Sequence, residues 1–305
     1  MSGASLNYLA GVLVCFSCLY VTAATQAESA AANAVADLVA EPNATEAMIP
    51  RQADGRPDFN GVWQVLNTAN YDLLAHPARP ALATRQGPFG PVPALEVLAL
   101  GAVGAVPAGL GVVEGNEIPY LPEAREKQLF NQANWLTEDP EIKCYLPGVP
   151  RANYMRFPFQ IFQSQRAFFI AYEYAGAVRN FHLTDPGEAP VESWMGQSYA
   201  TWEGDTLVVE VTGQNDRTWF DRSGNHHSAE LKVTERYRLL NAHVMEYEAR
   251  IEDPATFSRP WTMRMPIYKR VGMDAQLQQF KCVEFVEELM YGHLRKTPLP
   301  REEVR

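Results

Sequence analysis

Four pairs of apolar, β-branched and aromatic runs, each pair split by a short turn, fill the C-terminal half of this chain. They leave little room for any fold but an antiparallel sheet. Residues 167–174 and 178–183 flank Ala175-Gly176-Ala177, and residues 199–202 and 206–211 flank Glu203-Gly204-Asp205. Residues 231–239 and 244–251 flank Leu240-Asn241-Ala242-His243, and residues 261–269 and 279–286 flank Val271-Gly272-Met273-Asp274. Such runs, bounded by Gly, Asn and Asp, are hairpin signals. Hairpins that follow one another without helices form a meander, which hides its edge strands by closing or by stacking on itself. The expected fold is mainly β: an antiparallel meander closing into a lipocalin-like barrel or half-barrel, with an irregular, partly helical N-terminal excursion. No repeat of fixed period occurs, which argues against a propeller or solenoid.

Upstream of the hairpins the chain changes character. The first 27 residues hold no Asp, Glu, Lys or Arg, and an apolar stretch over residues 8–24 runs into small residues ending at Ala27. This pattern is that of a secretory signal cleaved near Ala27. The expected organisation is a signal at 1–27, a flexible linker at 28–57 and a single β-rich domain at 58–305. Within that domain residues 77–122 are rich in Pro and Gly around a short apolar run at 94–103, read as a short helix in an irregular excursion. Residues 123–135 read as a helix with Ala124, Leu129, Phe130 and Ala133 on its inner side. Signal cleavage makes the protein periplasmic or secreted, without stable insertion in a membrane. It also removes Cys15 and Cys18 and leaves Cys144 and Cys282 in an oxidising compartment. A single disulfide or two separate buried thiols fit that pair.

A length of 305 residues at 47% hydrophobic content supports a substantial core, and a formal charge of −10 excludes nucleic acid as the natural partner. Gly-x-Gly-x-x-Gly, Walker, His-Glu-x-x-His and Cys-x-x-Cys patterns are absent, so no cofactor and no metal are expected. Chemistry must then come from side chains that break the local pattern. Period-2 reading places Glu235 with Leu231, Val233 and Tyr237 and turns it inward. Burial there gives a general acid or base, or else a structural Glu–Arg or Glu–Tyr pair. His182, with Val178 and Asn180, is open to the same two readings. The loop Asp221-Arg222-Ser223-Gly224-Asn225-His226-His227-Ser228 offers His227 and Asp221 as an acid–base pair, although Asp221 also suits a turn cap. Adjacent imidazoles in extended chain point apart, which disfavours a shared metal at His226 and His227. Arg151, after Gly148-Val149-Pro150, could grip a ligand carboxylate bidentately or pair with Glu235 or Glu284. Trp194, Ser198 and Trp202 bring aromatic and hydroxyl groups together for ligand contact. No Gly-x-Ser-x-Gly elbow supports a serine nucleophile.

From Asp54 to about Glu288 the chain resembles a widespread group of exported bacterial proteins without a settled activity. The stretches that carry the resemblance are Asp54-Gly55-Arg56-Pro57-Asp58-Phe59-Asn60-Gly61-Val62-Trp63, Cys144-Tyr145-Leu146-Pro147-Gly148-Val149-Pro150-Arg151, Pro158-Phe159-Gln160-Ile161, Trp194-Met195-Gly196-Gln197-Ser198 and Trp202-Glu203-Gly204-Asp205-Thr206-Leu207-Val208-Val209, with residues 224–228, 235–237 and 260–262. The resemblance implies an exported, β-rich single domain. Where that group often has His after Met-Gly, this chain has Gln197, which removes an imidazole from the Trp194–Ser198 stretch. Together these readings point to an exported small-molecule pocket protein for an apolar or aromatic ligand. The alternatives are a cofactor-independent lyase, isomerase or hydratase using Glu235, His182 and His227, and a structural or envelope-interaction protein.

Overall fold

The computed structural model describes residues 48–78, 84–86, 91–93 and 106–286, and Ile49 opens the compact unit to which all of them but Met48 belong. The expected signal, most of the linker and the short helix at 94–103 lie outside the described residues.

Nine strands close into a barrel: β1 (Gly61–Gln64), β4 (Phe159–Gln163), β5 (Phe168–Tyr172), β6 (Val178–His182), β7 (Gln197–Glu203), β8 (Thr206–Thr212), β9 (Lys232–Leu239), β10 (Val244–Glu252) and β11 (Trp261–Lys269). A separate two-stranded ribbon pairs β2 (Thr84–Gln86) with β3 (Pro91–Pro93). Strands β4 to β11 are neighbours in chain order, and β1 inserts between β11 and β4 to close the ring. Parity then imposes one exception to the meander. Each antiparallel junction reverses strand direction, so a closed ring needs an even number of them, and an odd number of strands forces at least one parallel contact. That contact is β6 with β7, Phe181 opposite Ser198. A long connection rich in Pro, Gly and Ser over residues 183–196 replaces a tight turn there and lets the chain cross back before entering β7.

Two expectations are corrected. Residues 279–286 form no strand; β11 pairs instead with β1, through Lys269 with Trp63 and Tyr268 with Gln64. The chain after β11 is held as a strap: Phe280 packs on Phe157 and Tyr174, Cys282 is bonded to Cys144, and the Phe285 N–H donates to the Ile142 carbonyl. The expected helix exists as α1 (Pro122–Ala133), followed by the single turn α2 (Trp135–Glu138), but its inner face is polar. Leu129 and Phe130 are exposed, while Gln128 and Asn131 are buried. They donate to the carbonyls of Ser223 and Gly224. Gly224 has φ of 80° and an added Cβ would lie 2.5 Å from the Gln132 nitrogen, so only glycine lets this helix approach so closely. Amide-to-carbonyl contacts, not a hydrophobic stripe, dock α1.

Inward-facing residues form levels across the barrel, because directly paired residues share a face. One level runs Val211, Val233, Ile251 and Trp261; the next Val209, Glu235, Ala249 and Met263; the next Leu207, Tyr237, Tyr247 and Met265. All are buried. The outer face carries opposite charges at paired positions, among them Arg264 against Glu248 on β11 and β10. Exposed pairs of this kind contribute at most about 1 kcal/mol each and serve mainly to keep the surface wet.

Candidate functional site

The polar heart of the barrel is built around Glu235, which is fully buried. Its inward direction follows from alternation with Val233 and Tyr237 on β9. Oε1 accepts hydrogen bonds from the Tyr247 hydroxyl at 2.7 Å, the Tyr237 hydroxyl at 2.9 Å, Asn153 Nδ2 at 2.7 Å and Arg179 Nη1 at 3.2 Å, and Oε2 is bound by Arg179 Nη2. Arg179 in turn donates from Nε to the Ser198 hydroxyl at 2.8 Å, and its plane lies over Phe181. Asn153 accepts from the Tyr172 hydroxyl at 2.8 Å. Burial alone would lower the Arg179 pKa, but Glu235 beside it raises it well above the ordinary value. Burial and the Glu235 charge push the hydroxyls of Tyr237 and Tyr247 upward in the same way. The result is a closed ion pair with both carboxylate oxygens engaged, at the centre of packed aromatic rings.

A second buried cluster lies at the loops. Arg151 holds Asp139 bidentately at 2.8 and 3.0 Å and Glu141 at 2.9 Å, and Arg222 holds Glu141 through two 2.8 Å bonds. The fork geometry expected of Arg151 toward a ligand is thus directed at the protein's own Asp139 and not at Glu235 or Glu284. Burial by itself would raise the Glu141 pKa; Arg222 and Arg151 instead hold it well below the usual range.

The loop between β8 and β9 is organised by Asp221, which accepts from the N–H groups of Leu73 (2.8 Å), Ser223 (2.9 Å) and Asn225 (3.2 Å) and from the Asn225 side chain (2.6 Å). It is a turn organiser, as its sequence position allowed. Burial and the nearby Asp72 carboxylate push its pKa up to about 7. His227 is buried with both ring nitrogens engaged, Nε2 by the Thr218 hydroxyl at 2.6 Å and Nδ1 by the Ser228 carbonyl at 2.8 Å. His226 faces the other way, stacked on Tyr120. Burial lowers the pKa of both imidazoles, that of His226 to about 4, so both are neutral near pH 7.

The sequence-derived candidates are therefore distributed. Glu235 lies inside the barrel, while His227 and Asp221 lie in the loop with separate partners. His182 is exposed on the outer face of β6, because Arg179 and Phe181 take the inner one. Ser198 is buried against Arg179, Trp194 packs at a tilt on Tyr145 under Arg217, and Trp202 packs between Arg56 and Phe59. Sequence reasoning missed Arg179; its signal was the need of an inward Glu for an inward cation, met by an arginine alternating with Phe181.

A cavity lined by described residues lies outside this polar heart. It has a volume of about 500 Å³ and is walled by residues 66–69 after β1, residues 107–112, Asp72, and residues 264–266 and Tyr268 of β11. Its origin is a gap between two ladders. β1 pairs with the C-terminal end of β11 only as far as Tyr268. Lower down the same edge, residue 113 bridges Met263, and the Arg264 N–H donates to the Val112 carbonyl. Extending the first register would bring Leu66 opposite Pro266; extending the second would bring Leu110 opposite Pro266. Pro266 has no N–H to give to either. Both ladders stop, the chains splay, and the space between them is the cavity. Leu66, Leu110 and Tyr268 stand exposed at its lip, at 75%, 97% and 37%.

No known family model, no curated protein and no solved structure matches this chain. No helix of the described residues is long and apolar enough to cross a membrane, and no group of three His, Cys, Asp or Glu side chains among them is arranged to hold a metal.

Proposed function

We propose that this protein is an exported β-barrel that binds a small molecule with an apolar or aromatic body, and that the ligand sits in the cavity on the edge of β11 and not inside the barrel. The single observation that carries this reading is that cavity: about 500 Å³, open to solvent and rimmed by three exposed apolar side chains. Its size falls in the range of small-molecule sites, and exposed leucines clustered at one mouth call for a function where scattered ones do not. The barrel interior is filled by Trp63, Phe159, Tyr172, Tyr237 and Tyr247, which supports placing the ligand outside. The separation of Glu235, His182 and His227 supports binding over acid–base catalysis. The Cys144–Cys282 bond fits an oxidising compartment, and we propose membership in the exported group that the sequence resembles.

The test is a cavity-filling variant. Ala108 lines the cavity and is exposed, so Ala108→Trp should leave melting unchanged while lowering affinity for a hydrophobic fluorescent probe, or for ligand retained from native export fractions, by tenfold or more. Unchanged probe affinity in a normally folded variant would refute the assignment.

A further inference from the structure

A second, smaller pocket lies under the strap that follows β11. Its volume is about 130 Å³. One wall comes from residues 141–142, 156–157, 174 and 222, and the other from strap residues 280–283 and 286. The strap is fastened along its length, by Phe280 packing 4.7 Å from Phe157 and 5.3 Å from Tyr174, by the Cys282–Cys144 bond and by the Phe285 N–H on the Ile142 carbonyl. Phe157 and Tyr174 are themselves 5.7 Å apart, so three aromatic rings meet in this pocket. A cavity of about 150 Å³ takes one benzene ring, and the space here suits a body of that size with its polar end at the mouth.

The charged groups in the wall are unequally engaged. Glu141 is the one carboxylate among the described residues that line the pocket. Its Oε1 accepts from Arg222, and its Oε2 accepts from Arg222, Arg151 and Asn70. Arg156 and Lys281 line the same pocket, and neither is paired with a carboxylate. Arg156 makes one long bond, 3.4 Å from Nη1 to the Tyr71 hydroxyl, and its guanidinium stands 5.3 Å from the Phe157 ring centre. Its Nε and Nη2 donors have no protein acceptor. An arriving cation would meet an acid already held by four donors. An arriving carboxylate would meet a guanidinium fork and an ammonium group without counter-ions, the partners that bind it best. The whole molecule carries a formal charge of −10, so these two cations work against the general field and set the preference locally.

We infer that this pocket is a second binding site, separate from the cavity at Pro266, for a small aromatic carboxylate of about the size of benzoate. The ring packs among Phe157, Tyr174 and Phe280, and the carboxylate accepts from Arg156 and Lys281. Recognition alone is involved, and no bond is made or broken.

Benzoate, benzamide, benzylammonium and inorganic phosphate separate the contributions of charge and ring. Calorimetric titrations at pH 7 in dilute zwitterionic buffer, with line-broadening of the organic ligands in NMR as a second readout, should rank benzoate first. Its affinity should exceed that of benzamide and of phosphate by tenfold or more, with benzylammonium weakest. Benzamide binding as tightly as benzoate would overturn the charge recognition, phosphate binding as tightly would overturn the aromatic part, and no binding of benzoate would overturn the site. Two variants then place the ligand. Arg156 and Lys281 are exposed, so Arg156→Gln and Lys281→Gln should melt like the parent, while each weakens benzoate binding fivefold or more and the double variant abolishes it. Ala108→Trp, in the cavity at Pro266, should leave benzoate affinity unchanged. Benzoate binding that survives the double variant would overturn the inference, and its loss in Ala108→Trp would assign that ligand to the cavity at Pro266. A hydrophobic probe indifferent to Ala108→Trp would refute the reading of that cavity and leave this pocket standing on the benzoate result.

Discussion

Replacing Glu235 by Gln tests whether the polar heart of the barrel is held together by charge. In the native arrangement Oε1 is the meeting point of four donors, from Tyr237, Tyr247, Asn153 and Arg179, and Oε2 faces the second Arg179 nitrogen. A glutamine cannot satisfy both ends. With its NH2 at the Oε2 position, it points a donor at the Arg179 donor; rotated, it points the NH2 at four donors at once. In either case Arg179, 2% exposed, keeps a full positive charge without a counter-ion. Breaking one partner of a buried pair costs about 3–5 kcal/mol, and at about 2–4 °C per kcal/mol for a domain of this size the melting temperature should fall by roughly 6–20 °C. Circular dichroism melts at pH 7 measure this directly. The double variant Arg179→Met, Glu235→Gln removes the stranded charge and should recover more than half of the loss, since a buried pair replaced on both sides is often close to neutral. A single variant that melts within about 2 °C of the parent, or a double variant worse than the sum of the two singles, would refute the reasoning. A group that stays catalytically ready would instead lose function without losing stability.

Other expected outcomes follow from the same geometry. Cys144 and Cys282 are separated by 138 positions, so on the chain-entropy account replacing both by Ser should cost up to about 5 kcal/mol; under denaturing, non-reducing conditions thiol titration of the exported protein should find neither cysteine free. His226 has a folded pKa near 4, below its unfolded value, so the unfolded chain binds more protons between about pH 4 and 6.5 and stability should rise with pH across that window. His226→Phe should flatten this limb in pH-dependent melts, and an unaltered slope would contradict the assignment. Gly224→Ala, which forces a side chain into α1 at positive φ, should cost about 2 kcal/mol or more, read as an earlier urea midpoint, with protease sensitivity appearing first in residues 122–133.

Alternation made much of the sheet legible before any coordinates. Period-2 patterning located β5 through β11, and it turned Glu235 inward correctly, because a strand with one face in a core cannot slip by one residue without exposing that whole face. The same rule failed at β6 for a physical reason. Val178, Asn180 and His182 compete there with Arg179, Phe181 and Leu183, and a lone arginine reads as solvent-facing unless its carboxylate across the barrel is already known. The strap at 279–286 was misread as a strand because its apolar residues serve contacts to Phe157, Tyr174 and Cys144 and not a ladder. Ring closure by β1 depends on contacts between the two ends of the domain, which no local window contains.

The cavity was illegible for a related reason, although its cause is a single residue. Pro266 sits in a strand that otherwise alternates regularly between buried and outer residues, and a proline within a strand marks an edge without a partner. Taken with the short β1, which covers only the last two positions of β11, it implies a stretch of barrel wall where hydrogen-bonded closure fails. Closed barrels exist to abolish edges, so an edge left open beside Leu66 and Leu110 leaves unladdered backbone and apolar surface together at one cavity. The stretches that carry the family resemblance have a different task. Arg151, Gly224 and Glu235 are buried posts of the fold, and Asp205 anchors the Arg51 segment to the turn between β7 and β8 through two hydrogen bonds. Motif residues that hold a scaffold need not touch what the scaffold binds, so on the binding reading proposed above specificity belongs to the cavity walls around Pro266 and not to the motifs.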